Sequence, residues 1–82
     1  MKNDYIMKLK QLGSNQTLIQ FSNGNEVFFS YETPVAGYDA SRGVYERTSE
    51  YYSRTTSRHI NNYLDGVKAV DMHQDHFDKF FG

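Results

Sequence analysis

The hydrophobic pattern of this chain changes period once, and that change limits the folds open to it. Up to about Thr48, apolar residues alternate with polar ones or gather in short runs. Strands produce this pattern, because successive side chains point to opposite faces. After Thr55, apolar residues recur every three to four positions, as on amphipathic helices. Strands first and helices second is the order of an α+β domain, in which helices segregate to one side of an antiparallel sheet.

Turn signals divide the strand half. Over residues 5–12, Tyr5, Met7 and Leu9 fall on one side and Lys8 and Lys10 on the other. Gly13-Ser14-Asn15 is a turn cluster, and residues 17–22, with Leu18, Ile19 and Phe21, form a second strand. Asn23-Gly24 predicts a hairpin with a type I′ turn, whose two central residues both need positive φ. The run Val27-Phe28-Phe29 in the third strand, residues 26–31, predicts burial on both faces and a central place in the sheet. Pro34 offers no donor to a ladder, so Thr33-Pro34 predicts an irregular entry to a short strand over 35–38. Turn-forming residues 39–43 follow, and strand character resumes over 44–48. Residues 50–54 can be read as strand or loop, and their aromatic content favours extended structure.

In the helical half, Thr56 or Ser57 can cap a helix that carries Ile60, Tyr63 and Leu64 on one face and stops at Gly66. Residues 67–70 are short and extended. Asp71 can cap a last helix with Phe77, Phe80 and Phe81 as its apolar face. The expected fold is α+β: an antiparallel sheet of about four strands with two short C-terminal helices on one face, in a single domain over residues 1–82.

A chain of 82 residues buries only about 60% of its unfolded surface, so its core is thin and a homodimer would supplement it. Seven Tyr and six Phe exceed what such a core requires, which sends some tyrosines to the surface, where they suit an interface. The absence of cysteine excludes disulfides and thiolate metal sites. Nine Lys and Arg against ten Asp and Glu leave no general basic footprint for nucleic acid. No apolar run approaches the roughly 20 residues of a membrane span, and residues 1–5 are polar rather than signal-like, so no membrane partner and a cytoplasmic location are expected.

Residues 42–58 are the most unusual stretch. Arg42, Arg47, Arg54 and Arg58 interleave with Tyr45, Tyr51 and Tyr52, and only Glu46 and Glu50 oppose them. Arginine forks and aromatic plates build protein interfaces and single-stranded nucleic-acid platforms alike. The plain alternative is a strand pair with packed tyrosines and solvated arginines. His73 and His76, three apart, bring two imidazoles to one helix side, but a zinc site usually needs three or four ligands, and a solvated polar face is the simpler reading. Ser57 and His59 point to different sides of a helix, so they make no nucleophile–base pair. The scattered glycines form no phosphate-cradling loop. No catalytic residue, metal or cofactor is expected.

The strings Phe29-Ser30-Tyr31-Glu32-Thr33-Pro34-Val35-Ala36 and Tyr52-Ser53-Arg54-Thr55-Thr56-Ser57-Arg58-His59-Ile60-Asn61 resemble a group of small uncharacterised proteins encoded by bacteriophages and plasmids. The resemblance implies a mobile-element origin and, by analogy, a non-enzymatic inhibitor that docks on a host defence complex inside the host cell, as anti-CRISPR proteins do. The partner would be a host protein or protein complex, met by Arg42, Tyr45, Arg47, Tyr51, Tyr52, Arg54 and Arg58. Glu26, Glu32, Asp39, Glu46 and Glu50 would supply phosphate mimicry if the target binds nucleic acid. The alternatives are a nucleic-acid-binding accessory protein using the same surface and an oligomeric sponge for a small nucleotide signal.

Overall fold

The computed structural model describes residues 7–79. Its strands are β1 (Met7–Gly13), β2 (Gln16–Phe21), β3 (Glu26–Ser30), β4 (Thr33–Asp39), β5 (Val44–Thr48) and β6 (Ala69–Met72), and its helices are α1 (Arg54–Leu64) and α2 (Gln74–Asp78). The strands form one six-stranded sheet in chain order. Each pairing from β1 to β5 is antiparallel, and short turns suffice to make them. β6 pairs parallel to β5, which requires a crossover, and α1 is that crossover.

Three expectations change here. The sheet has six strands rather than about four, and it is mixed rather than antiparallel. The extra strand at the C-terminal edge is residues 69–72, too short for periodicity to reveal. The helices also do not share a face. α1 lays Ile60 and Leu64 on Leu18, Phe28, Val35 and Ala36, and the Tyr63 ring stacks on Phe28 with centroids 4.8 Å apart. α2 instead lines a cavity with Val27, Gly37 and Glu46 through His76 and Phe77, and His76 bonds Glu46. Val27 and Phe28, Ala36 and Gly37, and Tyr45 and Glu46 are neighbours in their strands, so the two sets lie on opposite faces. Val27, Phe28 and Phe29 are all buried, and β3 is central, as their run predicts. Phe28 and Phe77 are almost fully enclosed, and burying each contributes about 1.5–3 kcal/mol.

The Asn23-Gly24 hairpin forms, with a different turn. Only Gly24 has positive φ, 97°; the Gly24 N–H donates to Phe21 O, and the Phe21 N–H donates to Asn25 O. This is a three-residue loop with a left-handed glycine, which suits the strand twist as well as a type I′ pair does. Pro34 stands inside β4, opposite Phe29, next to a register shift at Phe28/Phe29 that absorbs its missing donor.

The helix caps lie elsewhere than expected. Ser53, not Thr56 or Ser57, caps α1 by accepting from the Thr56 N–H at 3.0 Å. α1 closes on Asp65 and Gly66, both left-handed. Asp71 lies in β6, and His73 caps the five-residue α2. Phe77 takes its expected buried place. Tyr5, Phe80 and Phe81 lie outside the described residues.

Candidate interface groove beside the edge strand

Residues 49–53 form a loop rather than the extended structure their composition favours, because α1 must begin at Arg54 to cross over the sheet. One buried network fixes where it begins. Ser30 Oγ, at the end of β3, lies 3.0 Å from Thr56 Oγ1 and 2.8 Å from His59 Nδ1, and all three residues are buried. Two proton orders satisfy the chain: Thr56 donates to Ser30 and Ser30 to His59, or His59 donates to Ser30 and Ser30 to Thr56. Tyr31, left-handed at φ 58°, sets its ring against that of His59 with centroids 5.6 Å apart. The network pins the first turn of α1 to the β3–β4 hairpin.

Between α1 and the β5–β6 edge run two adjoining pockets, of about 420 and 500 Å³. Arg47 and Asp71 border both. The first is walled by the loop tyrosines Tyr51 and Tyr52 and floored by Thr56 and Ile60. The second is walled by Asn61 and Leu64 of α1 and by the turn at Gly66 and Val67. Arg47 and Asp71 face each other in register, yet the Arg47 side chain makes no ion pair or hydrogen bond among the described residues. Tyr51 is 70% exposed, and Val67 and Val70 also present apolar surface at this edge. Burial, then the nearby Glu50 and Asp78 carboxylates, push the Tyr52 hydroxyl above the ordinary tyrosine range, so it stays a neutral donor.

The seven candidate residues of the arginine–tyrosine segment therefore separate. Arg47, Tyr51 and Tyr52 meet in the groove. Arg54 and Arg58 are exposed on α1. Tyr45 turns inward, its ring 4.6 Å from that of Tyr38 and 5.9 Å from that of Tyr63, and burial raises its pKa. Arg42 leaves for the opposite face and pairs with Asp39 and Glu46. The acids considered as phosphate mimics scatter too: Glu26 accepts from the Tyr63 hydroxyl and Gln20, and Glu46 is buried. The two C-terminal histidines part. His76 reaches Glu46 at 2.8 Å, and His73 accepts from the Asp75 N–H. Among the described residues no three metal-ligating side chains converge, and no helix is long and apolar enough to cross a membrane.

A family profile matches residues 7–79, from β1 through α2 and the whole groove. The chain belongs to DUF8033, a family of unknown function. Neither the curated proteins nor the solved structures hold a match to it. Within this DUF8033 chain, the two strings singled out in the sequence meet in space, since Ser30 and Tyr31 come from the first and Thr56 and His59 from the second. Sequence reading weighed Ser57 against His59 and missed Ser30, the serine that His59 contacts. Asp71 was missed as a groove residue because it was assigned to a helix cap.

Proposed function

We propose that this protein is a non-enzymatic binding module that takes an extended segment of a partner protein along β6, in the groove beside α1. The carrying observation is the pairing of an edge strand with a helix-walled groove. β6 has β5 on one side and, among the described residues, no strand on the other. An edge strand offers unpaired N–H and C=O groups to an added strand, which gives affinity, while pockets for alternate side chains give specificity. The pockets suit that mode. Ala69 borders one and Asp71 both, two positions apart on β6. Alternate side chains of an extended ligand fall roughly 6.5–7 Å apart, the same repeat.

Arg47 sets the chemistry. A guanidinium with no partner among the described residues, at the border of both pockets, favours an acidic side chain, which it can take as a bidentate fork. Tyr51 and Tyr52 add rigid amphipathic area at little entropic cost. The host-defence inhibitor implied by the resemblance to phage and plasmid proteins is one form of this reading, in which the bound segment belongs to a host complex.

The test is selection of peptides from a random library, followed by amide-shift mapping of the winners. Arg47→Ala and Tyr52→Ala should each weaken a selected peptide by about 1–3 kcal/mol, the range of an interface anchor, with the melting temperature unchanged. Shifts should gather at Ala69–Met72 and residues 49–53. Peptides that bind elsewhere and ignore both variants would refute the groove. Tight single-stranded DNA binding, with a log–log salt slope of about −0.7 per phosphate, would favour the nucleic-acid reading instead.

A further inference from the structure

We infer that the cavity between α2 and the opposite face of the sheet binds a small organic cation, an ammonium or guanidinium on a short apolar stem, with Glu46 as its anchor. The cavity measures about 310 Å³, room for roughly ten water volumes and hence for a four- or five-carbon amine. Val27, Gly37 and Phe77 give it an apolar side, and Asp39, Ser41 and Lys79 stand around it. It lies on the face away from the groove and does not depend on the groove's function.

Glu46 is the group that asks for a ligand. It is 4% exposed. Its Oε1 accepts from His76 Nε2 at 2.8 Å. Its Oε2, equally buried, has no hydrogen-bond donor among the described residues. A buried carboxylate oxygen without a donor is unfavourable, and native structures rarely leave one unexplained. Arg42 pairs with this oxygen only at longer range: its Nη1 stands 3.5 Å from Oε2 and 4.0 Å from Asp39 Oδ2. Arg42 is mostly in solvent, its side chain 56% exposed, and so is free to swing aside.

The sign of the ligand follows from which charges are fixed. The carboxylates are held: Glu46 by burial and His76, and Asp39 by the Ser41 hydroxyl and the Ser41 and Arg42 N–H groups. The cations Arg42 and Lys79 are exposed. An anion would have to sit against the buried carboxylate, whereas a cationic N–H donor completes Oε2 and replaces Arg42, its present partner across 3.5 Å.

The probes are n-butylguanidinium, putrescine and n-butylurea, the last an uncharged shape match of the first, each titrated into the 15N-labelled full chain. Saturable shifts should appear at Gly37, Glu46 and Phe77 with the two cations and not with the urea. Glu46→Gln should weaken them by about tenfold or more, the worth of a charge-assisted hydrogen bond. Arg42→Ala should tighten them severalfold, because Arg42 is the internal competitor and its removal raises the fraction of open sites. Arg42 is exposed, so its loss should leave the fold intact and decides the matter even if Glu46→Gln unfolds. Four results would overturn the proposal: no saturable shift with either cation; equal binding of the urea; weaker cation binding in Arg42→Ala together with binding of acetate; or binding of N-acetylarginine methylamide alone, which would make the occupant a protein side chain.

Discussion

Ser30→Ala is the sharpest test of how the fold positions the groove. Ser30 is 1% exposed and serves two buried partners at once, Thr56 and His59. Removing its hydroxyl takes away little volume but leaves Thr56 Oγ1 and His59 Nδ1 each without that partner, away from water. An abandoned buried polar group costs about 1–3 kcal/mol, so the pair should cost roughly 2–6 kcal/mol. A domain of this size holds about 4–12 kcal/mol in total, at roughly 0.05–0.15 kcal/mol per residue. The melting temperature should fall by at least about 8 °C, at about 4–8 °C per kcal/mol. Urea titration and calorimetry measure both. The triple variant Ser30→Ala, Thr56→Val, His59→Phe removes all three polar groups together, so it should recover to within about 1 kcal/mol of the parent. If Ser30→Ala melts like the parent, the network is wet and does not hold α1. If the triple variant is as damaged as the single, lost packing rather than orphaned polarity explains the cost.

Other consequences can be measured directly. Gly37→Ala should destabilise by about 1–3 kcal/mol in urea titration, because a Cβ there would stand 2.4 Å from the Glu26 carbonyl oxygen, backbone that cannot yield cheaply. Tyr63 is held neutral by burial and by its bond to Glu26, so its pKa lies far above the ordinary 10.0. The unfolded chain therefore loses this proton first, and stability should be intact below pH 10 and fall as pH rises beyond it. Tyr63→Phe should flatten that alkaline slope in melts taken between about pH 9 and 11. Zinc calorimetry at neutral pH should show no submicromolar site at His73 and His76, since His76 is committed to Glu46 and His73 to the α2 cap; tight binding lost in His76→Ala would contradict this.

Local signals in the sequence were good where the physics is local. Alternation, short apolar runs and turn signals located β1 to β5, and Asn23-Gly24 located a hairpin, because all depend on neighbouring residues only. The turn type did not follow, since a left-handed glycine fits two hairpin loops equally well. Residues 67–70 read as extended, which covers Ala69 and Val70 of β6, but four residues carry no readable period and their place in the sheet comes from lying beside β5. With β6 unrecognised, the parallel pairing and the crossover role of α1 were hidden too. A helix that must return the chain to the far side of β5 is fixed by topology, which no local pattern encodes.

That missing strand also explains why the arginine–tyrosine segment was half right as a site. Residues 42–58 run along β5, through a loop and into α1, so alternate side chains on β5 go to opposite faces of the sheet. Tyr45 and Arg47 share the α1 face, where Tyr45 is drawn under the helix by Tyr38 and Tyr63 and Arg47 emerges beyond its edge. Glu46 takes the other face, and Arg42 follows it there as a counter-charge. Only the loop tyrosines are free of the pleat, and they close on Arg47 because α1 begins at Arg54. One dense stretch of sequence thus feeds two separate sites, an open groove built on a cation and a half-open cavity built on a carboxylate. The binding surface is completed from a distance by Asp71, brought into register with Arg47 by the parallel pairing of β6.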